Sequence, residues 1–337
     1  MDLLKPAGLK PGDTLGFFSP SSAATAWAPH RFARARAFLE EQGFRLKAGS
    51  LTGERDHWRS GAIAARAEEL NALIRDPEVR AIMSVIGGSN SNSLLPYLDF
   101  EALRRDPKII VGYSDVTALL LGIHARTGLV TFYGPALVAS FGELSPLVDE
   151  TLAGFRQICL AGGASLPHTL PTPAHWTDER LDWENQIRAK QCRPNRLISV
   201  GTGRVRGRLM GGNLNTMAGI WGSPYMPQIK QGDILLLEDS LKSAETVERS
   251  FSHLKLCGVF ERIGGLILGK HELFDDQGSG RRPLDILLEV VGEPTFPILA
   301  EFDCAHTHPM LTLPIGIEAE LDLDAQCLTL CESWLGD

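Results

Sequence analysis

Between Thr14 and Tyr133 short apolar runs alternate with stretches of helical period, and that rhythm admits few folds. Residues 14–18 read as a strand, closed by the turn Ser19-Pro20-Ser21-Ser22. The spacing predicts a helix over 30–42, stopped by Gly43. A second helix over 60–75 places Ile63, Ala67, Leu70 and Ile74 on one face, and Pro77 follows its end. Strands are expected over 81–86, 109–111 and 129–133, with a helix over 116–125 between the last two. Strands and helices in this order build a mainly parallel sheet covered on both faces. Ligands of such sheets sit beyond the carboxyl ends of the strands. Ser19, Gly88 and Ser114 each follow a strand, so the pattern brings all three to one edge.

From about residue 160 to 195 the texture changes to glycine, Pro167, Pro171, Pro173 and mixed charge. So long a connection is usually functional or disordered. This one carries Trp176 and Trp183, which either pin the segment to the body of the protein or form an aromatic lid over a ligand. Beyond it comes a glycine-punctuated run over 200–212. Helices are expected over 213–220, 244–256 and 284–291. Strands are expected over 233–237, 265–269, 298–300, 315–321 and 327–330. The expected division is an N-terminal domain over 1–165, a connecting lid over 166–196 and a smaller α/β domain over 197–337.

A net charge of −8 over 337 residues argues against a nucleic-acid polymer as partner, since such surfaces are normally basic. No apolar run reaches the roughly 18 residues of a membrane span. The first sixteen residues carry Lys5, Lys10 and Asp13 and do not read as a secretory signal. Six cysteines without a CxxC pair suggest free thiols in a reducing cytoplasm. His306 and His308 have the i, i+2 spacing of metal ligands, but no further Cys, His or carboxylate stands at zinc spacing. No metal and no cofactor are expected.

The chemistry centres on Gly112-Tyr113-Ser114-Asp115, the only residues between the 109–111 strand and the helix after it. A serine at a sharp strand-to-helix turn has an exposed hydroxyl beside the free N–H groups of a helix start. Ser114 or Asp115 equally suits a helix N-cap. A nucleophilic serine needs a base, and the base needs an orienting carboxylate. His306 follows a strand and precedes Leu311-Thr312-Leu313-Pro314. Glu238 and Asp239 end a buried strand, and either can orient a histidine or complement the dipole of the next helix. The order Ser, acid, His is that of α/β-hydrolases. Gly87-Gly88-Ser89-Asn90 can offer backbone N–H groups to an anion, and lacks the lysine of a nucleotide-triphosphate loop.

The segments Gly87 to Tyr97, Gly112 to Leu119, Thr131 to Pro135, Gly211 to Asn215, Leu237 to Asp239, and His306 with Leu311 to Gly316 resemble the LD-carboxypeptidase family of serine peptidases. They run in the family's order over nearly the whole chain. Position 116 is Val, where the α/β-hydrolase elbow has glycine. Within the family the chain is most similar to the microcin C self-immunity branch, through Trp176, Trp183, Gly219 to Ser223, Leu237 to Leu241, Gly269 to Glu272 and His306 to Met310. The resemblance implies a Rossmann-like domain, a smaller swivelling α/β domain and a homodimer. It implies Ser114 as nucleophile, Glu238 as orienting carboxylate, His306 as base, and an oxyanion hole from the N–H groups of Gly88 and Asp115. Trp176 and Trp183 would stack on a purine; Asn213, Asn215, Glu272 and His308 would read polar groups of the ligand. The expected substrates are aminoacyl- or peptidyl-nucleotide conjugates. A murein tetrapeptide is the alternative, and a non-catalytic binding protein the second.

Overall fold

The computed structural model describes residues 3–336. Five strands build the first sheet in its N-terminal part: β1 (Thr14–Phe18), β2 (Arg45–Ala48), β3 (Val79–Ser84), β4 (Ile109–Gly112) and β5 (Thr131–Tyr133). Three two-residue strands follow in the long connection: β6 (His168–Thr169), β7 (His175–Trp176) and β8 (Arg193–Pro194). Then come β9 (Ile198–Val200), β10 (Arg204–Asn213), β11 (Ile234–Glu238), β12 (Gly265–Gly269) and β13 (Ile298–Phe302). The chain ends with β14 (Leu313–Ile315), β15 (Glu318–Asp322) and β16 (Cys327–Leu330).

The first sheet has the order β14-β5-β4-β3-β1-β2, parallel except for β14. Ile109, Ile110 and Val111 are fully buried, as a central strand of a parallel sheet should be. The second sheet runs β6-β16-β15-β10-β11-β12-β13-β9. Its β10 to β13 are parallel, with antiparallel strands on both sides. This is the expected α/β architecture. The division expected at 165 and 197 is crossed twice: β14 joins the first sheet and β6 the second.

Local differences have local causes. Of the glycine-punctuated run over 200–212, residues 204–212 belong to β10, where Gly207, Gly211 and Gly212 pack directly against neighbouring backbone or side chains with no room for a Cβ. The strand expected over 315–321 is two strands, broken at Gly316, so that one half serves each sheet. The α-helix Thr117–Thr127 is apolar nearly all round and is buried against β4, β5 and β14 on one side and β10 on the other. Sandwiched between the sheets, it fixes the turn at its N-terminus. Among the described residues no helix is long and apolar enough to cross a membrane.

Candidate active site

Ser114 stands two residues beyond the β4 strand, after an extended Tyr113, with φ at +61°. Positive φ is uncommon for a residue with a Cβ, and it turns the side chain out of the chain path. A short 3₁₀ turn over Ser114–Val116 then leads into the buried helix. Ser114 donates its backbone N–H to Tyr133 Oη at 3.3 Å.

The loop carrying Gly88 presses against this turn. A Cβ on Gly87 would lie 2.9 Å from Ser114 Cβ and 3.0 Å from Asp115 N, and one on Gly88 would lie 2.2 Å from Ser21 Oγ. Only glycines allow that approach. The Asp115 carboxylate accepts the N–H groups of Asn90 at 3.0 Å and Ser91 at 2.9 Å. Ser91 Oγ donates back to Asp115 O at 2.5 Å. Ser21 Oγ accepts from the Ser89 and Asn90 amides, while Arg66 donates to Asn90 Oδ1 at 2.7 Å and Pro20 O at 2.6 Å. Burial pushes the Asp115 carboxyl above the usual aspartate value, with its hydrogen bonds working the other way.

His306 follows β13, and its Nδ1 meets Glu238 Oε2 at 2.6 Å. Glu238 ends β11 and is fully buried. Its other oxygen, Oε1, accepts from Tyr133 Oη at 2.5 Å and from Asn213 Nδ2 at 2.9 Å. Burial favours the neutral acid, but His306 and these two donors hold Glu238 below the ordinary glutamate value. Burial alone would lower the His306 pKa; the facing Glu238 carboxylate, with Glu272 and Asp239, holds it above the ordinary histidine value. The Tyr113 ring packs edge-on against the imidazole at 4.8 Å.

Ser114, Gly88 and His306 line one cavity of about 360 Å³. Trp183, Lys190 and Glu272 line it too, and also an adjoining outer cavity of about 680 Å³. Trp183 stacks on Trp27 at 5.6 Å, and the Arg31 guanidinium lies 4.4 Å from its ring centroid. Arg31 is completely buried and bonds to Gln186 Oε1, Ala139 O and Glu143. Lys190 Nζ stands 3.4 Å from the same Glu143. The segment over 177–190 is thus docked by buried charges. His308 exchanges backbone hydrogen bonds with Thr177, and its buried Nδ1 has no protein partner. Burial, with Lys190 nearby, drives the His308 pKa well below the ordinary value and so favours the neutral imidazole.

The expected site residues divide as follows. Gly88, Ser114, Trp183, Asn215, Glu272, His306 and His308 face the cavity, with Glu238 behind His306 and Asp115 behind the Gly88 loop. Asn213 reaches the cavity wall, but its amide is spent on Glu238 and Asp239. Trp176 does not line either cavity: its ring covers Arg193 at 4.1 Å and Lys270 at 5.2 Å. It pins the connection, as one of the two readings of the tryptophans had it. Tyr133, Lys190 and Ser21 were not singled out from the sequence, and the Asp115 carboxylate, considered there as a helix N-cap, instead holds the loop amides of Asn90 and Ser91. Tyr133 was signalled by its place at the end of a strand and within the Thr131 to Pro135 segment of the resemblance, neither of which gave it a role. Among the described residues no cluster of His, Cys, Asp and Glu is arranged to hold a metal ion.

Sequence profiles of the LD-carboxypeptidase N-terminal and C-terminal domains match residues 15–134 and 206–321. A putative carboxypeptidase of Vibrio cholerae is 61% identical, covering 99% of both chains. The microcin C7 self-immunity protein MccF of Escherichia coli is 53% identical, over 98% of this chain and 96% of its own. A solved structure of MccF with aspartyl sulfamoyl adenosine superposes with a TM-score of 0.97 at 52% identity, over 99% of this chain and all of that one. A probable murein peptide carboxypeptidase of Bacillus subtilis is 29% identical, over 94% of this chain and 91% of its own.

Proposed function

We propose a function from one premise: the chain belongs to the LD-carboxypeptidase family. It is a serine carboxypeptidase that cleaves the amide of aminoacyl- or peptidyl-nucleotide conjugates of the microcin C type, and so detoxifies them. The observation that carries the mechanism is the unbroken contact from Tyr133 and Asn213 through buried Glu238 to His306, in the cavity that holds Ser114.

Ser114 Oγ attacks the acyl carbonyl, and His306 Nε2 takes its proton. Glu238 holds Nδ1–H and stabilises the imidazolium that forms. The N–H groups of Gly88 and Asp115 receive the oxyanion, which is where preorganised donors lower the barrier most. His306 then protonates the departing nitrogen, and water, deprotonated by His306, releases the acyl group. Support for the nucleotide comes from Trp183, an aromatic ring at the junction of the inner and outer cavities, and from the likeness to MccF, solved with aspartyl sulfamoyl adenosine. A stacked base is worth about 1–3 kcal/mol, and a murein peptide has no flat ring to stack. Glu272 and Lys190, which both line the cavity, supply polar contacts for the acyl group. A cytoplasmic homodimer is carried over from the family, and light scattering after size exclusion tests the dimer.

The test offers aspartyl sulfamoyl adenosine and, separately, a murein tetrapeptide. Aspartate released from the first, and not by Ser114→Ala, supports the proposal. D-alanine released from the tetrapeptide alone makes the protein a murein carboxypeptidase. Neither product leaves a binding protein.

A further inference from the structure

Tyr133 ends β5 opposite Gly112 of β4, beside the turn that presents Ser114. Its side chain is completely buried. Gly212 makes room for the ring: a Cβ there would stand 2.9 Å from Tyr133 Cε2. The phenol oxygen has two partners, and their roles are forced. The Ser114 N–H can only donate to it, at 3.3 Å, and the ionised Glu238 can only accept from it, at 2.5 Å. The single phenolic hydrogen is committed to Glu238 Oε1, and a lone pair to Ser114. Each partner has need of the contact. Ser114 has a positive φ, which persists only when the surroundings hold it. Glu238 must keep Oε2 turned to His306.

We infer that Tyr133 is a positioning residue, coupling the backbone of the Ser114 turn in the first sheet to the carboxylate from the second sheet that orients His306. The inference rests on the roles proposed above for Ser114, Glu238 and His306. Nothing in it requires Tyr133 to touch the substrate. Its hydroxyl stays a donor at working pH, because burial and the adjacent Glu238 raise its pKa well above that of free tyrosine. The hydroxyl also draws negative charge from Glu238 and so tempers the hold of Glu238 on the imidazole. The other groups facing His306 are Asp239, His271, Glu272, His308 and Tyr113.

The test compares wild type, Tyr133→Phe and a protein with 3-fluorotyrosine at position 133. Hydrolysis of aspartyl sulfamoyl adenosine is followed across pH. Phenylalanine should lower kcat about ten- to hundredfold, the range for one hydrogen bond to a charged group, with KM within about twofold. It should also move the acid limb of kcat/KM to higher pH, since Glu238 with one donor fewer holds the imidazolium more tightly. Fluorotyrosine, a stronger donor in the same place, should move that limb to lower pH. A residue that only fills space would lower the active fraction and leave both limbs where they were. An active wild type with unshifted limbs in both variants overturns the inference and leaves the proposed function standing. A wild type that hydrolyses nothing removes both.

Discussion

Glu238→Gln tests the wiring of the site most sharply, because the structure fixes which way the new amide must face. Oε1 of Glu238 accepts from two donors, Tyr133 Oη at 2.5 Å and Asn213 Nδ2 at 2.9 Å. Oε2 meets only His306 Nδ1, at 2.6 Å. A glutamine that places its carbonyl at Oε1 keeps two hydrogen bonds and turns its NH₂ toward His306. The flipped amide keeps one and sets NH₂ against two donors. The difference is one buried hydrogen bond and one avoided donor clash, about 1–3 kcal/mol, so the first orientation dominates. With NH₂ facing Nδ1, the imidazole takes its other tautomer and carries its proton on Nε2. It then has no lone pair with which to accept the Ser114 proton. The expected loss is about 10³–10⁴ in kcat with little change in KM, the size seen when a triad acid is made its amide. The assay is release of aspartate from aspartyl sulfamoyl adenosine, with thermal denaturation alongside to show that the variant folds. Turnover of a folded variant within tenfold of wild type would refute the reasoning, because the Glu238–His306 contact would then not set the tautomer.

Four further outcomes follow from the same geometry. Because His306 sits above its ordinary value and must be neutral to act, kcat/KM should rise with pH through a midpoint above about 6.5; Glu272→Gln removes a charge that raises it and should move the midpoint down. Asp115→Ala removes the acceptor of the Asn90 and Ser91 amides, and should cut kcat about 10²-fold by loosening the Gly88 loop while Asp115's own N–H remains; stopped-flow acylation rates check it. Trp183→Ala should raise KM for a nucleotide conjugate about five- to hundredfold, read from initial rates, and leave a substrate without a base unaffected. Asp303→Ala leaves the buried Lys270 ammonium without its carboxylate and should lower stability by about 3–5 kcal/mol in urea unfolding.

The parts of this fold that were legible in the sequence are those with a local signal. The helix Ala244–Leu256 and the strands β1, β12 and β16 fall on their expected residues, because periodicity and flanking turn residues mark them. The β10 strand was hidden: its glycines look like loop residues until their neighbours are known to touch them. The transfer of β14 to the first sheet is a long-range pairing with Tyr133, Phe132 and Thr131, and no local pattern encodes it. Ser114 and His306 stood out because each follows a strand, and Glu238 because it ends one, but position alone left Glu238 and Asp239 level and the family resemblance chose between them. Buried charges were the blind spot. Arg31, Arg66, Lys190 and Lys270 look like surface residues in a sequence, yet each is at least nine-tenths buried and holds a loop or the connecting segment in place. The cations that cover the Trp176 ring, Arg193 and Lys270, are distant in sequence or carry no local signal, so its packing was not legible either.

The central claim is that Ser114 is the group that reacts, and that His306 makes it reactive. Peptide mapping after treatment with a fluorophosphonate measures this directly. One covalent adduct is expected, on the peptide carrying Ser114, formed far more slowly in His306→Ala and absent from Ser114→Ala. An unlabelled Ser114 in a protein that still releases aspartate, or an adduct on another serine that survives Ser114→Ala, would contradict it.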